Sequence, residues 1–214
     1  MFIQMSDPSQ RGVKTLSEQK RLVKTRPYRK SKRAEDEERT RARIVDAAET
    51  LHGSLGPART SISAVAEEAG VTRATVYRHF PDDESLFLAC SSQWLARQPV
   101  PDPATWTSYD EPTDRLRAGL ANIYRYYREG QAMITLVLRD ADAVPHRVRE
   151  ARLGQQERWL AVLLQPFPGR RRKALRAAVG HAVAFTTWRS LCVEQGLTDR
   201  AAIDLLVGLV SAAC

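Results

Sequence analysis

The stretch VTRATVYRHF, Val71–Phe80, divides its side chains between two faces of a short helix. Val76 and Phe80 are i and i+4 and turn inward together, while Arg73, Ala74, Tyr77 and Arg78 fall on the opposite face with Thr75 at its edge. Those outward residue types suit a DNA major groove. Arginine grips guanine O6 and N7 with two parallel hydrogen bonds, and a small alanine or a threonine methyl packs on thymine. Tyr77 can donate to a phosphate, which orients the helix without reading a base. Thr72 stands where it would cap this helix and joins the candidate DNA-contacting set. Thr60, Ser61 and Ser63, near the start of the preceding helix, offer hydroxyls for a second phosphate contact. An amphipathic helix whose arginines are merely solvated would show the same pattern, and that alternative stands at this point.

Other residue types offer less chemistry. His181 and Cys192 are eleven residues apart on one predicted helix, too far for a nucleophile and its base. There is no GxSxG, no glycine-rich phosphate loop and no HExxH, so no catalytic residue is assigned and an enzyme is not expected. Cys90, Cys192 and Cys214 fit no metal-ligand spacing and read as reduced thiols of a cytoplasmic protein, with no metal and no cofactor expected. Aromatic residues gather in the second half: Trp106, Tyr124, Tyr127, Trp159, Phe185 and Trp188, with Met133 and His181 among them. Such a set is either plain core or the lining of a pocket for an apolar or aromatic molecule of moderate size.

The elements that must position these residues are helical. In Glu35–His52, Ile44, Ala47, Ala48 and Leu51 form one stripe, and Glu35–Glu38 crowd what reads as the first turn. GSLGPA breaks that helix, and TSISAVAEEAG follows with Thr60 or Ser61 as cap and Gly70 as stop. Two short helices joined at Gly70 are a helix-turn-helix, with Val65, Ala66, Val71 and Val76 as its small core. After Pro81 a further helix starts at Asp82 and turns Leu86, Phe87, Cys90 and Trp94 inward. Gln98–Pro112 reads as a proline-rich loop and domain boundary. Helices are predicted at Thr113–Glu129, Gln131–Asp142, Val144–Leu164, Arg170–Gln195 and Thr198–Ala213. No segment alternates with period two. The expected fold is all-α: an N-terminal three-helix helix-turn-helix domain at 35–98, then a larger helical domain at 99–214, to which the resemblance described below gives effector binding and dimerisation.

The net charge of +8 sits in one place. Residues 11–33 carry ten Lys and Arg against Glu18 alone, and with Asp7 counted the chain beyond residue 33 is neutral. Composition predicts a basic disordered leader over 1–34. It reads as a tail on DNA phosphates, as a solvated tail, or as an over-extended start of the reading frame. No apolar run approaches the roughly 18–20 residues of a membrane span, and no membrane partner is expected.

From RIVDAAETLHGSLGPARTSISAVAEEAGVTRATVYRHFPDDESLF onward the sequence resembles the DNA-binding domain of TetR-family transcriptional regulators. IVDAA, the turn glycine, TVYRHF and ESLF follow one another in the family's order across about residues 39–90. The resemblance implies a homodimer on a palindromic DNA operator, released when a small molecule binds the second domain, and by family habit a repressor. It places Arg73, Ala74, Thr75, Tyr77, Arg78 and His79 against DNA, and dimerisation on the last two long helices. Two departures stand out. Asp83 occupies a position where the family commonly has a phosphate-binding lysine, and His52 one where it usually has an aromatic. A DNA-architectural or non-specific DNA-binding protein without an effector is the alternative, in which the leader dominates.

Overall fold

Three short-range caps organise the N-terminal helices. The side chains of Ser61, Thr72 and Asp82 accept from the N–H groups of Ala64, Thr75 and Ser85, at 3.2, 3.2 and 2.7 Å. Each satisfies a donor that the first turn of a helix leaves unpaired. The structure, a computed structural model, describes residues 16–167 and 172–213. Cys214, the first residues of the basic leader and the start of the predicted Arg170–Gln195 helix lie outside the described residues.

In chain order the helices are α1 (Leu16–Ser54), α2 (Ile62–Glu68), α3 (Arg73–His79), α4 (Asp83–Ala96), α5 (Pro112–Arg139), α6 (His146–Leu164), α7 (Arg172–Ala182), α8 (Phe185–Trp188) and α9 (Asp199–Ala212). Short 3-10 turns lie at Pro57–Arg59, Pro103–Ser108 and Ala141–Ala143, and a π-turn at Arg189–Glu194. The fold is all-α, with no strand among the described residues.

Among the described residues, those up to Arg43 form one compact unit and those from Ile44 another. In the first, α1 begins at Leu16, well before the Glu35 start that the sequence suggests. Glu35–Glu38 are therefore interior to the helix, and Arg33 pairs with Glu37 one turn on at 3.1 Å. The low apolar content that argues for disorder concerns burying a core. Leu, Gln, Glu, Lys and Arg, which make up most of that stretch, lose little on entering a helix, and α1 runs on through Pro27 all the same.

The second unit holds two hydrophobic clusters. Ile44, Ala48, Val65, Ala66, Val76 and Phe80 form the smaller, closed by Leu86 and Cys90. Ile44 and Val76 are wholly buried and Phe80 is 3% exposed. The larger cluster runs through α5, α6, α7 and α9 on Leu116, Leu120, Ile123, Leu163, Val179 and Leu206.

Three predicted boundaries move. Thr113–Glu129 and Gln131–Asp142 are one helix, α5, because Gly130 serves packing rather than a break. A Cβ there would lie 2.9 Å from Ile134 Cδ1 and 3.0 Å from Trp94 Cζ2, so glycine lets α4 and α5 approach. Inside the loop at Gln98–Pro112, Pro103–Ser108 winds into a 3-10 turn that buries Trp106, whose indole donates to Asn122 Oδ1 at 2.9 Å. Arg115, itself buried, holds that turn by donating to the Tyr109 carbonyl at 2.8 Å and to Gln165 Oε1 at 3.0 Å. Most consequential, Arg170–Gln195 is not one helix. It stops at Ala182, resumes over α8 and widens into the π-turn. Tyr124 and Tyr127 on α5 donate to the Ala182 and Val183 carbonyls at 3.0 and 2.7 Å, which satisfies the acceptors that the break sets free.

Candidate nucleic-acid interface

The turn between α2 and α3 rests on Gly70 at φ +61°, the left-handed conformation that a side chain disfavours. The Val71 N–H donates across it to the Ala66 carbonyl at 2.9 Å. With Val76 and Phe80 buried, the rest of α3 turns outward: Arg73, Ala74, Tyr77 and Arg78 are exposed, while Thr75 and His79 are half-buried. Neither Arg73 nor Arg78 is ion-paired with a described residue, and the Tyr77 side chain, 42% exposed, makes no hydrogen bond with one. Thr72 Oγ1 lies 2.9 Å from Thr75 Oγ1 as well as capping the helix. At the start of α2 the three hydroxyls divide their work. Ser61 is the cap, Ser63 is exposed, and Thr60 donates to the Gly56 carbonyl at 2.9 Å. Asp83 is exposed in the first turn of α4.

Behind this surface lies a cavity of about 460 Å³. The end of α1 and the inner face of α4 form one side, through His52, Phe87, Cys90, Trp94 and Leu95. Met133, Ile134, Val137 and Leu138 on α5 form the second, and Arg152, Gln155, Gln156 and Trp159 on α6 the third. Of the aromatic set read from sequence, Tyr127, Met133, Trp159 and Phe185 are on the lining. The other four lie elsewhere: Trp106 is held by Asn122, and Tyr124 by the Ala182 carbonyl. Trp188 donates to Asp199 at 3.1 Å, and His181 sits exposed on α7 beside Thr187. Sequence reading missed the polar stripe on α6, although Arg152, Gln155 or Gln156, and Trp159 have helical spacing.

His52 and Cys90 meet at the cavity wall, with Cys90 Sγ 3.4 Å from His52 Nδ1 and the imidazole tilted on the Phe87 ring at 4.7 Å. Burial pulls the His52 pKa down to about 4. Burial, helped by the Glu49 carboxylate, pushes the Cys90 thiol up to about 12. The pair is thus neutral imidazole and neutral thiol, the opposite of an activated nucleophile.

The loop after α1, which leads into the helix-turn-helix, also touches the end of α5. Arg139 donates to the Leu55 carbonyl at 2.8 Å, and the Asp140 carboxylate accepts from the Ala58 N–H at 3.1 Å. Arg139, donating to the same carboxylate, and then the Ala58 amide hold its pKa down to about 2. Gly56, at φ +93°, passes beneath the pair, and a Cβ there would run into both side chains.

The model of a family described as "Bacterial regulatory proteins, tetR family" matches residues 44–90. The HTH-type transcriptional regulator TtgR of Pseudomonas putida is 44% identical over 55 residues, which are 26% of this chain and 26% of that protein. The HTH-type transcriptional regulator AcrR of Shigella flexneri is 41% identical over 56 residues, again 26% of each. The chain therefore matches about a quarter of the length of these curated relatives. Among solved structures, NalD of Pseudomonas aeruginosa, the secondary repressor of the MexAB-OprM multidrug efflux pump, superposes with a TM-score of 0.56 at 20% identity. That superposition covers 84% of this chain and 97% of NalD, and so extends the likeness of fold beyond the matched sequence.

Proposed function

We propose that the chain, whose residues 44–90 match the tetR family of bacterial regulatory proteins, is a DNA-binding repressor, seated as a dimer on a palindromic operator and released by a small molecule in the cavity. The observation that carries this reading is the outward face of α3, where Arg73, Ala74, Tyr77 and Arg78 are exposed and engaged by no described residue. Thr60, Ser61, Ser63, Thr72, Thr75 and His79 complete the proposed contact surface. The repressive sense follows NalD, whose name carries it.

Two recognition helices must sit about 34–36 Å apart to enter successive major grooves, which calls for a two-fold pair. The outer face of α9 supports this, since Leu205 and Leu209 are 47% and 56% exposed and nothing lies within 4 Å of where a Gly208 side chain would begin. With the Arg170–Gln195 span broken, α7 and α9 are the helices we assign to the dimer. The cavity suits a mostly apolar ligand and touches α1 and α4, the helices that flank the α2–α3 pair. Among the described residues no helix is long and apolar enough to cross a membrane.

Selection of sheared genomic DNA by the full-length protein, followed by sequencing, tests the proposal. A single enriched palindrome is expected. Arg73→Ala then relaxes preference at one symmetric position at a cost of about 1–3 kcal/mol. Tyr77→Phe weakens all sequences alike. Removal of residues 1–33 flattens the dependence of log affinity on log salt if the leader meets phosphates. Retention of DNA without enrichment would replace the repressor by a protein that binds phosphates only.

A further inference from the structure

The cavity is mostly apolar on two sides and, among the described residues, carries donors without partners on the third. On α6, Arg152, Gln155 or Gln156, and Trp159 share one face at i, i+3 or i+4, and i+7. Trp159 is 2% exposed, and its indole N–H has no hydrogen-bond partner among the described residues. A donor buried without a partner costs about 1–3 kcal/mol, so native proteins keep few of them. Arg152, half-buried on the same face, makes no ion pair or hydrogen bond with a described residue. Its pKa is lowered by burial; the neighbouring Tyr126 and Tyr127 hydroxyls act against that, and the like charge of Arg149 acts with it.

The other charges on the lining do not answer Arg152. The one carboxylate there is Glu49, already engaged by Arg97 and by Gln93, the latter at 3.1 Å. Arg158 adds a second cation, and His52 is neutral at ordinary pH. A cationic ligand would meet uncompensated repulsion. A neutral hydrocarbon would strip more water from Arg152 and return nothing. An oxyanion fits guanidinium geometry and offsets that desolvation.

Resting on the reading of this cavity as the effector site, we propose that the effector is an amphipathic organic anion, with a carboxylate or comparable oxyanion on Arg152 and a hydrocarbon body between α4 and α5. Met133, Ile134, Val137 and Leu138 receive the body, and the Trp159 N–H takes a further acceptor oxygen where the ligand has one. Tyr127 is the weaker donor toward it, because its hydroxyl is committed to the Val183 carbonyl.

The test uses full-length protein and matched probes: decanoate and 2-naphthoate, each beside the amide and the primary ammonium of the same skeleton. Binding is followed by calorimetry and by the fluorescence of Trp94 and Trp159, which both line the cavity. At least one carboxylate is expected to bind about tenfold or more tightly than its amide and its ammonium. Arg152→Met is expected to erase that preference, bringing carboxylate and amide to within about twofold of each other. Arg152→Gln provides the same comparison should the methionine variant unfold. Equal affinity for carboxylate and amide, or a preference that survives both substitutions, overturns the proposal. The same preparations go through DNA selection. An enriched palindrome without anion preference removes only the ligand class, whereas an Arg152-dependent preference without DNA selection removes the repressor and leaves the anion site standing.

Discussion

The α2–α3 pair and the α5–α9 assembly solve the problem of ending a helix in opposite ways. Around α2 and α3 every start is fixed by a side chain three residues away: Ser61 on Ala64, Thr72 on Thr75, Asp82 on Ser85. In the larger assembly α9 keeps such a cap, Thr198 on Ala201, but the break after α7 and the turn that buries Trp106 are held by remote partners. Tyr124 and Tyr127 reach carbonyls 58 and 56 residues further along the chain, and Arg115 reaches Gln165 across 50. The first region carries its geometry in short words of sequence. The second acquires most of it on packing, which leaves the cavity wall dependent on contacts among several helices at once.

That contrast can be broken by mutation. The largest effect is expected from Phe80→Ala, which empties the small core beneath α3 and should cost about 3–5 kcal/mol in urea unfolding. A loss under about 1 kcal/mol would mean that the caps, and not this core, hold the pair. His52 gives the next effect, and its sign follows from its lowered pKa of about 4. The unfolded chain takes up a proton near pH 6.5 that the folded one resists. Stability is therefore full above pH 6.5 and falls by up to about 3 kcal/mol as pH drops to 4. His52→Phe should flatten thermal stability over that window, and an unchanged slope would locate the titrating group elsewhere.

Tyr127→Phe comes third. It leaves the Val183 carbonyl without its donor and should cost about 1–3 kcal/mol. A neutral outcome would show that the break after α7 does not depend on this remote hydroxyl. Thr72→Ala is expected to be mildest, at about 1 kcal/mol. It should weaken operator binding and stability together, since the same hydroxyl orders the first turn of α3.

The same division explains what the sequence revealed. Val76 and Phe80 inward, Arg73 and Tyr77 outward, the Gly70 turn and the Asp82 cap are all set by periodicity and near neighbours, so they were readable without a structure. Choosing between Thr60 and Ser61 as cap was not, because it turns on where the Gly56 carbonyl lies. In the larger assembly the aromatic set was visible as a set, yet its members separate by partner. Trp188 goes to Asp199, Trp106 to Asn122, and Trp159 alone among the tryptophans of that set faces the cavity. Gly130 resembles a helix breaker until Trp94 is brought against it from another helix. Arg152 attracted no notice because a charged residue on an amphipathic helix is ordinarily solvated, and only the fold reveals that no free carboxylate shares its cavity.

The clasp of Arg139 and Asp140 over Gly56 has a consequence for genetics. A screen for alleles with altered regulation has two obvious harvests, substitutions on α3 and substitutions lining the cavity. The clasp adds a third, since it ties the loop after α1 to the same helix that presents Met133 and Leu138 to the cavity. Alleles at Gly56, Arg139 or Asp140 would leave the base-reading surface and the ligand lining chemically intact. If the chain acts as proposed, they would be recovered by phenotype, as strains whose reporter no longer follows the proposed effector although both DNA and ligand are still bound.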